Sequence, residues 1–372
     1  MKIAPFALER YFAKYEFSAR YLLSCSDCEP LAMSELLAMA DTEAAHLWEH
    51  LKLGYTESPG HPLLREAIAG IYAGIEAQDV LVLVPEEGIF LLLHALLEPG
   101  DHVICTFPAY QSLHEVARSI GCRVSTWEPN EDQGWRFDVG QVEAKIQANT
   151  KALIVNFPHN PTGYLPPRKD FEALVDIARR HKLYLLSDEM YRFLEIDQDT
   201  TLPSACELYE CAISLFGLSK TFGLPGLRIG WIASHNREAI ERTSVLKDYT
   251  TICNSAPSEI LAIVALHNRA AIIERQLERV RRNVTVLETF FRQYHDIFTW
   301  NRPKGGSICL PRMLTVQDTS VFCEELVEET GIMLVPSTAF QFGSQHVRIG
   351  FGREDLPDVL ARFAAYLDRR FR

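Results

Sequence analysis

Three short segments of this chain hold side chains able to do chemistry. Leu218-Ser219-Lys220-Thr221-Phe222 carries a lysine, and Arg228 follows eight positions later across a turn of Gly223, Pro225 and Gly226. Upstream stand Asn160-Pro161-Thr162-Gly163 and Asp188-Glu189-Met190-Tyr191. Together they supply an amine nucleophile, a carboxylate, a phenol, an amide and a guanidinium. Singly, each has an ordinary structural reading. Lys220 reads as a surface lysine, Asp188 as a helix N-cap, Asn160 as turn chemistry and Arg228 as half of a structural ion pair.

As a set, the five groups suit pyridoxal 5'-phosphate (PLP), which needs an imine partner, a partner for its ring nitrogen, hydrogen bonds to its phenolic oxygen and a clamp for its phosphate. Lys220 would form the Schiff base and then act as general base and acid at a substrate α-carbon. Asp188 would favour the protonated ring nitrogen, so that the ring can absorb electrons. Tyr191 and Asn160 are placed to bond the phenolic oxygen, and Arg228 to pair with the phosphate.

The elements that must position these residues are legible as an α/β alternation. Short apolar runs read as strands of a buried parallel sheet: Val80 to Val84, His102 to Phe107, Arg123 to Trp127, Lys151 to Asn156, Leu183 to Ser187, Ala212 to Phe216 and Leu227 to Ala233. Between them, Pro62 to Tyr72, Glu86 to Leu97, Gln111 to Ile120 and Arg168 to His181 have helical spacing. Such alternation predicts right-handed crossovers and a mostly parallel sheet with helices on both faces. Asn160, Asp188 and Lys220 each follow a different strand end, where open α/β sheets bind ligands. Residues 1–45 read as an irregular arm and a helix from Leu31 to Met39, and the pattern from about Ala256 to Tyr294 is long and helical. The expected division is an N-terminal arm (1–45) belonging partly to a small domain, a large domain (46–270) and a C-terminal small domain (271–372).

Composition bounds the rest. The chain has 372 residues, is 47% hydrophobic and carries a formal net charge of −12. That charge argues against affinity for nucleic acid or an anionic membrane surface. Nine scattered cysteines lack framework spacing, and the single pair Cys25 and Cys28 has no second pair to complete a metal site. No signal peptide or membrane-length apolar run is apparent, so a cytoplasmic protein is expected.

These residues and spacings resemble the class I/II aminotransferases, the fold type I PLP-dependent enzymes of the aspartate aminotransferase superfamily. The likeness runs from about Tyr55 to Gly350 and rests on Asn-Pro-Thr-Gly, Asp-x-x-Tyr, Ser-Lys and the Arg beyond it, in the family's order. It implies that Tyr110 of Pro108-Ala109-Tyr110 stacks on the ring, and that Phe107-Pro108 and Asn160-Pro161 are cis. It implies that Tyr55 reaches the phosphate of a neighbouring subunit, hence a homodimer with shared active sites. Arg348 would grip the substrate α-carboxylate as a bidentate donor, with Asn160 beside it.

Two positions depart from the family pattern. Val84-Pro85-Glu86-Glu87-Gly88 stands where a small-residue phosphate loop is usual, and Pro85 removes one backbone N–H. Gly217 stands where a phosphate-binding serine is common. The cup is left with Arg228, Tyr55, Ser219 and the amides of the helix that begins at Glu86, which implies weaker cofactor retention. Asp27 and Glu29 place negative charge in the arm near the substrate, which would favour a basic amino acid.

The implied activity is transfer of an amino group between an amino acid and a 2-keto acid. A lyase or cyclase using the same lysine is the alternative. A fainter likeness to capreomycidine synthase-like enzymes, through Glu86 to Phe90 and Pro108 to Leu113, supports that alternative. A PLP-sensing transcriptional regulator is disfavoured by the acidic charge and by an arm that begins almost at Met1.

Overall fold

The computed structural model describes residues 2–197 and 200–372. Its main sheet has seven strands: β1 (Val80–Leu83), β2 (His102–Thr106), β3 (Arg123–Trp127), β4 (Thr150–Asn156), β5 (Tyr184–Asp188), β6 (Ala212–Gly217) and β7 (Gly230–Ala233). They lie in the order β1-β7-β6-β5-β4-β2-β3. Strands β2 to β6 pair in parallel, and β7 runs antiparallel to both β1 and β6. The mostly parallel sheet expected from the sequence is therefore present.

Side-chain alternation explains why the strands read as continuous apolar runs. Ile104, Leu153, Val155 and Leu185 pack against the helix Arg168–Arg180 on one face. Their neighbours Val103, Cys105, Ile154 and Leu186 pack on the opposite face with the helices Pro85–Leu96 and Ser112–Ile120. Both faces are covered, so no polar residue is needed at alternate positions.

A second core joins the two ends of the chain. Leu23 and Cys28 pack with Val284, Leu287, Ile349, Phe363 and Leu367. Its central strand, Val347–Gly350, pairs antiparallel with Ile308–Cys309 and with Val335–Pro336. Tyr21–Leu22 adds a parallel pairing with Ile332–Met333.

One expectation needs correction. The stretch read as an irregular arm contains the helices Ala7–Tyr15 and Thr42–Glu49. The long helical stretch is present as two helices, Ala256–His267 and Arg269–Gln293, bent by 77°. The break falls at Asn268, whose amide donates to Met39 O and Val264 O, both at 2.9 Å. Its side chain thus ties the corner to a neighbouring segment and to the preceding helix. Among the described residues no single helix is long and apolar enough to cross a membrane.

Candidate active site

The carboxyl ends of β4, β5 and β6 open onto a cavity of about 690 Å³. Ten of the residues singled out from the sequence line it: Asp27, Glu86, Tyr110, Asn160, Asp188, Tyr191, Ser219, Lys220, Arg228 and Arg348. Tyr55 does not; its side chain is 92% exposed, away from its own chain's cavity.

The floor follows directly from strand register. Asn156 and Asp188 end β4 and β5 opposite one another. The Asn156 amide donates to Asp188 O (3.0 Å), and its carbonyl accepts from Asn160 N (2.7 Å), fixing the turn that carries Asn160. The peptides Phe107-Pro108 and Asn160-Pro161 are cis, as is Phe157-Pro158, which the sequence did not single out. Burial pushes the Asp188 carboxyl up to about 7, against a hydrogen bond from Met190 N (3.1 Å) and the nearby Lys220. No helix opens after Asp188, so the N-cap reading fails: residues 190–193 form turns. A buried carboxyl of this kind favours a cationic N–H partner.

Lys220 stands just past β6, half-buried, with its Nζ donating to Ser26 Oγ at 2.8 Å. Burial lowers its amine below the ordinary lysine value; Asp27 opposes the fall and Arg348 adds to it. A depressed amine is more often unprotonated and so more nucleophilic. The phenol of Tyr191 is buried and has no hydrogen-bond partner among the described residues. Burial pushes its ionisation to higher pH, with Arg348 and the Ser26 hydroxyl acting in the opposite sense.

At one end of the floor lies the N-terminus of the helix Pro85–Leu96. Here the two departures from the family pattern prove to be neighbours. A Cβ placed on Gly217 would lie 3.0 Å from both Pro85 Cγ and Gly230 Cα. A Cβ on Gly230 would lie 2.5 Å from the same Pro85 carbon. Pro85 thus fills the space a larger residue at 217 would need. Arg228 is exposed at the rim, in the left-handed region (φ 54°), and donates to Pro225 O at 3.2 Å. Among the described residues it makes no ion pair, contrary to its structural reading. The Glu86 carboxyl, bonded by the Ser112 hydroxyl at 3.1 Å, is pushed up to about 7 by burial, with Glu9 and Asp188 adding to the rise. Tyr110 donates to Glu9 Oε1 at 2.9 Å, and its ring lies 4.9 Å from that of Phe6.

The roof is formed by the chain's first residues. Arg348, 1% exposed, donates to Asn160 Oδ1 (3.3 Å) and Ser24 O (3.0 Å). Its Nε has no partner, and no carboxylate among the described residues pairs with it. Such a buried, uncompensated cation is costly unless an anion is supplied. Residues 23–29 lie on a seat of glycines: a Cβ on Gly350 would meet Cys25 O at 1.7 Å, and one on Gly352 would meet Asp27 O at 2.5 Å. Asp27 faces the cavity already paired with Arg353 (2.9 Å), while Glu29 accepts from Glu354 N (2.9 Å) and does not line the cavity. The negative charge expected from these two residues is therefore largely compensated within the protein. Cys25 and Cys28 are free and buried, and burial pushes Cys28 up to about 12, the opposite of a reactive thiol.

Sequence reasoning missed several lining residues: Phe6, Glu9, Phe12 and Glu16 from the unrecognised helical segment, and Ser26 and Arg353. The signal for the helix was present in Leu8, Tyr11, Phe12 and Tyr15 at helical spacing.

The donor set fits an anionic, nitrogen-containing ring bearing an oxygen substituent. Asp188 awaits a cation, Tyr191 Oη and Arg348 Nε await partners, and Arg228 is free for an anion. Comparisons with known proteins agree. The family model for aminotransferase class I and II matches residues 33–363. The chain is 30% identical, over 86% of its length and 84% of the relative's, to an aspartate/prephenate aminotransferase of Thermus thermophilus. It is 28% identical, over 97% and 93% respectively, to capreomycidine synthase of Streptomyces vinaceus. Among solved structures, a PLP-dependent aminotransferase from Streptococcus suis superposes with TM-score 0.93 at 31% identity, covering 100% of this chain and 99% of that one. The PLP-dependent cyclase OrfR superposes with TM-score 0.91 at 29% identity, covering 100% and 98%.

Proposed function

The chain belongs to the aminotransferase class I and II family, and from that premise we propose that it moves an amino group between an amino acid and a 2-keto acid through Lys220. It is a PLP-dependent enzyme. When bound, PLP holds the substrate nitrogen as an imine and accepts the electron pair left on the α-carbon. The remaining work falls to the chain's own residues. Asp188 holds a proton on the ring nitrogen, and Asn160 and Tyr191 bond the ring oxygen. Arg228 and the amides at the start of the helix Pro85–Leu96 bind the phosphate, with Ser219 at its edge. Tyr110 covers one ring face. Arg348 binds the substrate carboxylate, and Lys220 takes the α-proton and returns it.

The observation that carries this reading is Arg348, a buried guanidinium with no acid partner, in the same cavity as the depressed amine of Lys220. A carboxylate and an amine on one small substrate satisfy both. Tyr55, 92% exposed, with Leu53 (85%) and Tyr249 (87%) also exposed, supports a homodimer in which Tyr55 reaches the second copy's phosphate site. Scattered unpaired thiols support a cytoplasmic setting.

Elimination or cyclisation on the same lysine is the second reading, favoured by the full-length superposition on the cyclase OrfR. Incubation with single amino acids, without a keto acid, separates the two. Transamination stops after one keto acid per cofactor. Continued release of keto acid and ammonia, or of a cyclised product, would establish the second reading.

A further inference from the structure

We propose that Ser26 is a positioning residue that orients the amine of Lys220 for proton transfer at the substrate α-carbon. The inference rests on the reading of Lys220 given above. Ser26 Oγ accepts from Lys220 Nζ at 2.8 Å, although the two residues lie on segments far apart in the chain. Ser26 and the buried Tyr191 line the same cavity as Lys220.

The serine is held by its own backbone. Ser26 O accepts from the Ser307 hydroxyl (2.8 Å), and Cys28 N donates to Lys220 O (3.2 Å), which ties the arm to the lysine's own peptide. Upstream, Gly350 N donates to Leu23 O, and Arg348 donates to Ser24 O, each at 3.0 Å. The arm therefore runs from the guanidinium that would hold the substrate carboxylate to the amine that would take its proton. Two residues of extended chain span about 7 Å, which suits a small amino acid lying alongside.

A neutral amine has one lone pair and two N–H bonds. Committing one N–H to Ser26 fixes rotation about the Cε–Nζ bond and so the direction of the lone pair. In the step itself the α C–H bond breaks, its proton joins the Nζ lone pair, and the bonding pair passes from the α-carbon toward the cofactor ring. Misdirection by about 1 Å in such a step costs up to roughly 100-fold.

The test compares Ser26→Ala with Ser26→Thr, which keeps the hydroxyl. In deuterium oxide, Ser26→Ala is expected to slow exchange of the substrate α-hydrogen by roughly 10- to 100-fold, with KM and cofactor content near those of the unaltered protein. In the cofactor-free protein, the pH dependence of reductive methylation at Lys220 is expected to shift to lower pH in Ser26→Ala. The shift follows because the charged amine loses a hydrogen-bond acceptor. Ser26→Thr should restore both. Unchanged exchange and an unchanged Lys220 titration in Ser26→Ala, or no recovery with Thr, would overturn the proposal. Should Ser26→Ala not fold, Ser26→Cys, whose thiol is a weak hydrogen-bond partner, carries the same expectations and the same overturning result. If Lys220 is not the cofactor's lysine, borohydride reduction leaves no pyridoxyl adduct on Lys220 in the unaltered protein either, which separates that failure from this one.

Discussion

At the floor of the cavity, Asn156 and Asp188 face one another at the ends of paired strands, whereas the roof is laid across Arg348 by residues from the chain's first 28. The floor inherits its geometry from a sheet whose strands are buried on both faces, so its groups have little freedom. The roof is held by a few hydrogen bonds and by glycines that let the arm lie against Gly350 and Gly352. On the proposed reading, the floor holds the groups that would bear on the cofactor: Asp188, Asn160, Tyr191 and Lys220. The roof holds those that would face the substrate: Arg348, Ser26, Phe12 and the compensated pair Asp27–Arg353. On that reading, the cofactor's groups sit where the sheet fixes them, and the substrate's sit under a segment seated by contacts from distant parts of the chain.

That division can be broken most decisively at Asp188. Asp188→Asn is expected to cut turnover by about 10²–10³-fold, the cost of removing a preorganised charge from a reacting centre. It also has a pH consequence without cofactor. Burial raises the folded carboxyl from 3.8 to about 7. Between those values the folded protein keeps a proton that the unfolded chain has lost, so stability falls as pH rises through the interval. Thermal denaturation of the cofactor-free protein should show a shallower decline from about pH 4 to about pH 7 in Asp188→Asn. An equal slope would remove Asp188 from the floor's electrostatics.

On the roof, Arg348→Leu should raise KM by at least about 30-fold, equivalent to about 2 kcal/mol of lost charge pairing, without reducing cofactor content. Because an unpaired buried cation is removed, the melting temperature should hold or rise. Loss of cofactor in this variant would dissolve the distinction between the two walls. The smallest effect is expected where they meet. Tyr110→Phe keeps the ring but removes its hydrogen bond to Glu9, and steady-state rates should change by no more than about fivefold, in line with a net ~0.5–1 kcal/mol for a hydrogen bond.

The floor was legible in the sequence because both-face burial leaves uninterrupted apolar runs, and Asn160, Asp188 and Lys220 fall just after three of them. Arg348 was harder. Val347-Arg348-Ile349 fits a solvent-facing arginine equally well, and its burial depends on the arm that covers it. The helix Ala7–Tyr15 begins at Phe6, which offers no side-chain cap, so the usual start signal is missing. Its position over the cavity depends on distant partners, such as Tyr11 donating to Leu334 O at 2.8 Å. Nothing local distinguishes Ser26 from Ser24, and the pairing of Asp27 with Arg353 joins opposite ends of the chain. Long-range contacts of this kind leave no periodicity to read.

Borohydride reduction of the PLP-loaded protein, followed by peptide mapping, identifies the lysine that carries the cofactor. One reduced pyridoxyl adduct is expected, on Lys220, and none in Lys220→Ala. An adduct on another lysine, or retention of the adduct in Lys220→Ala, would contradict that assignment.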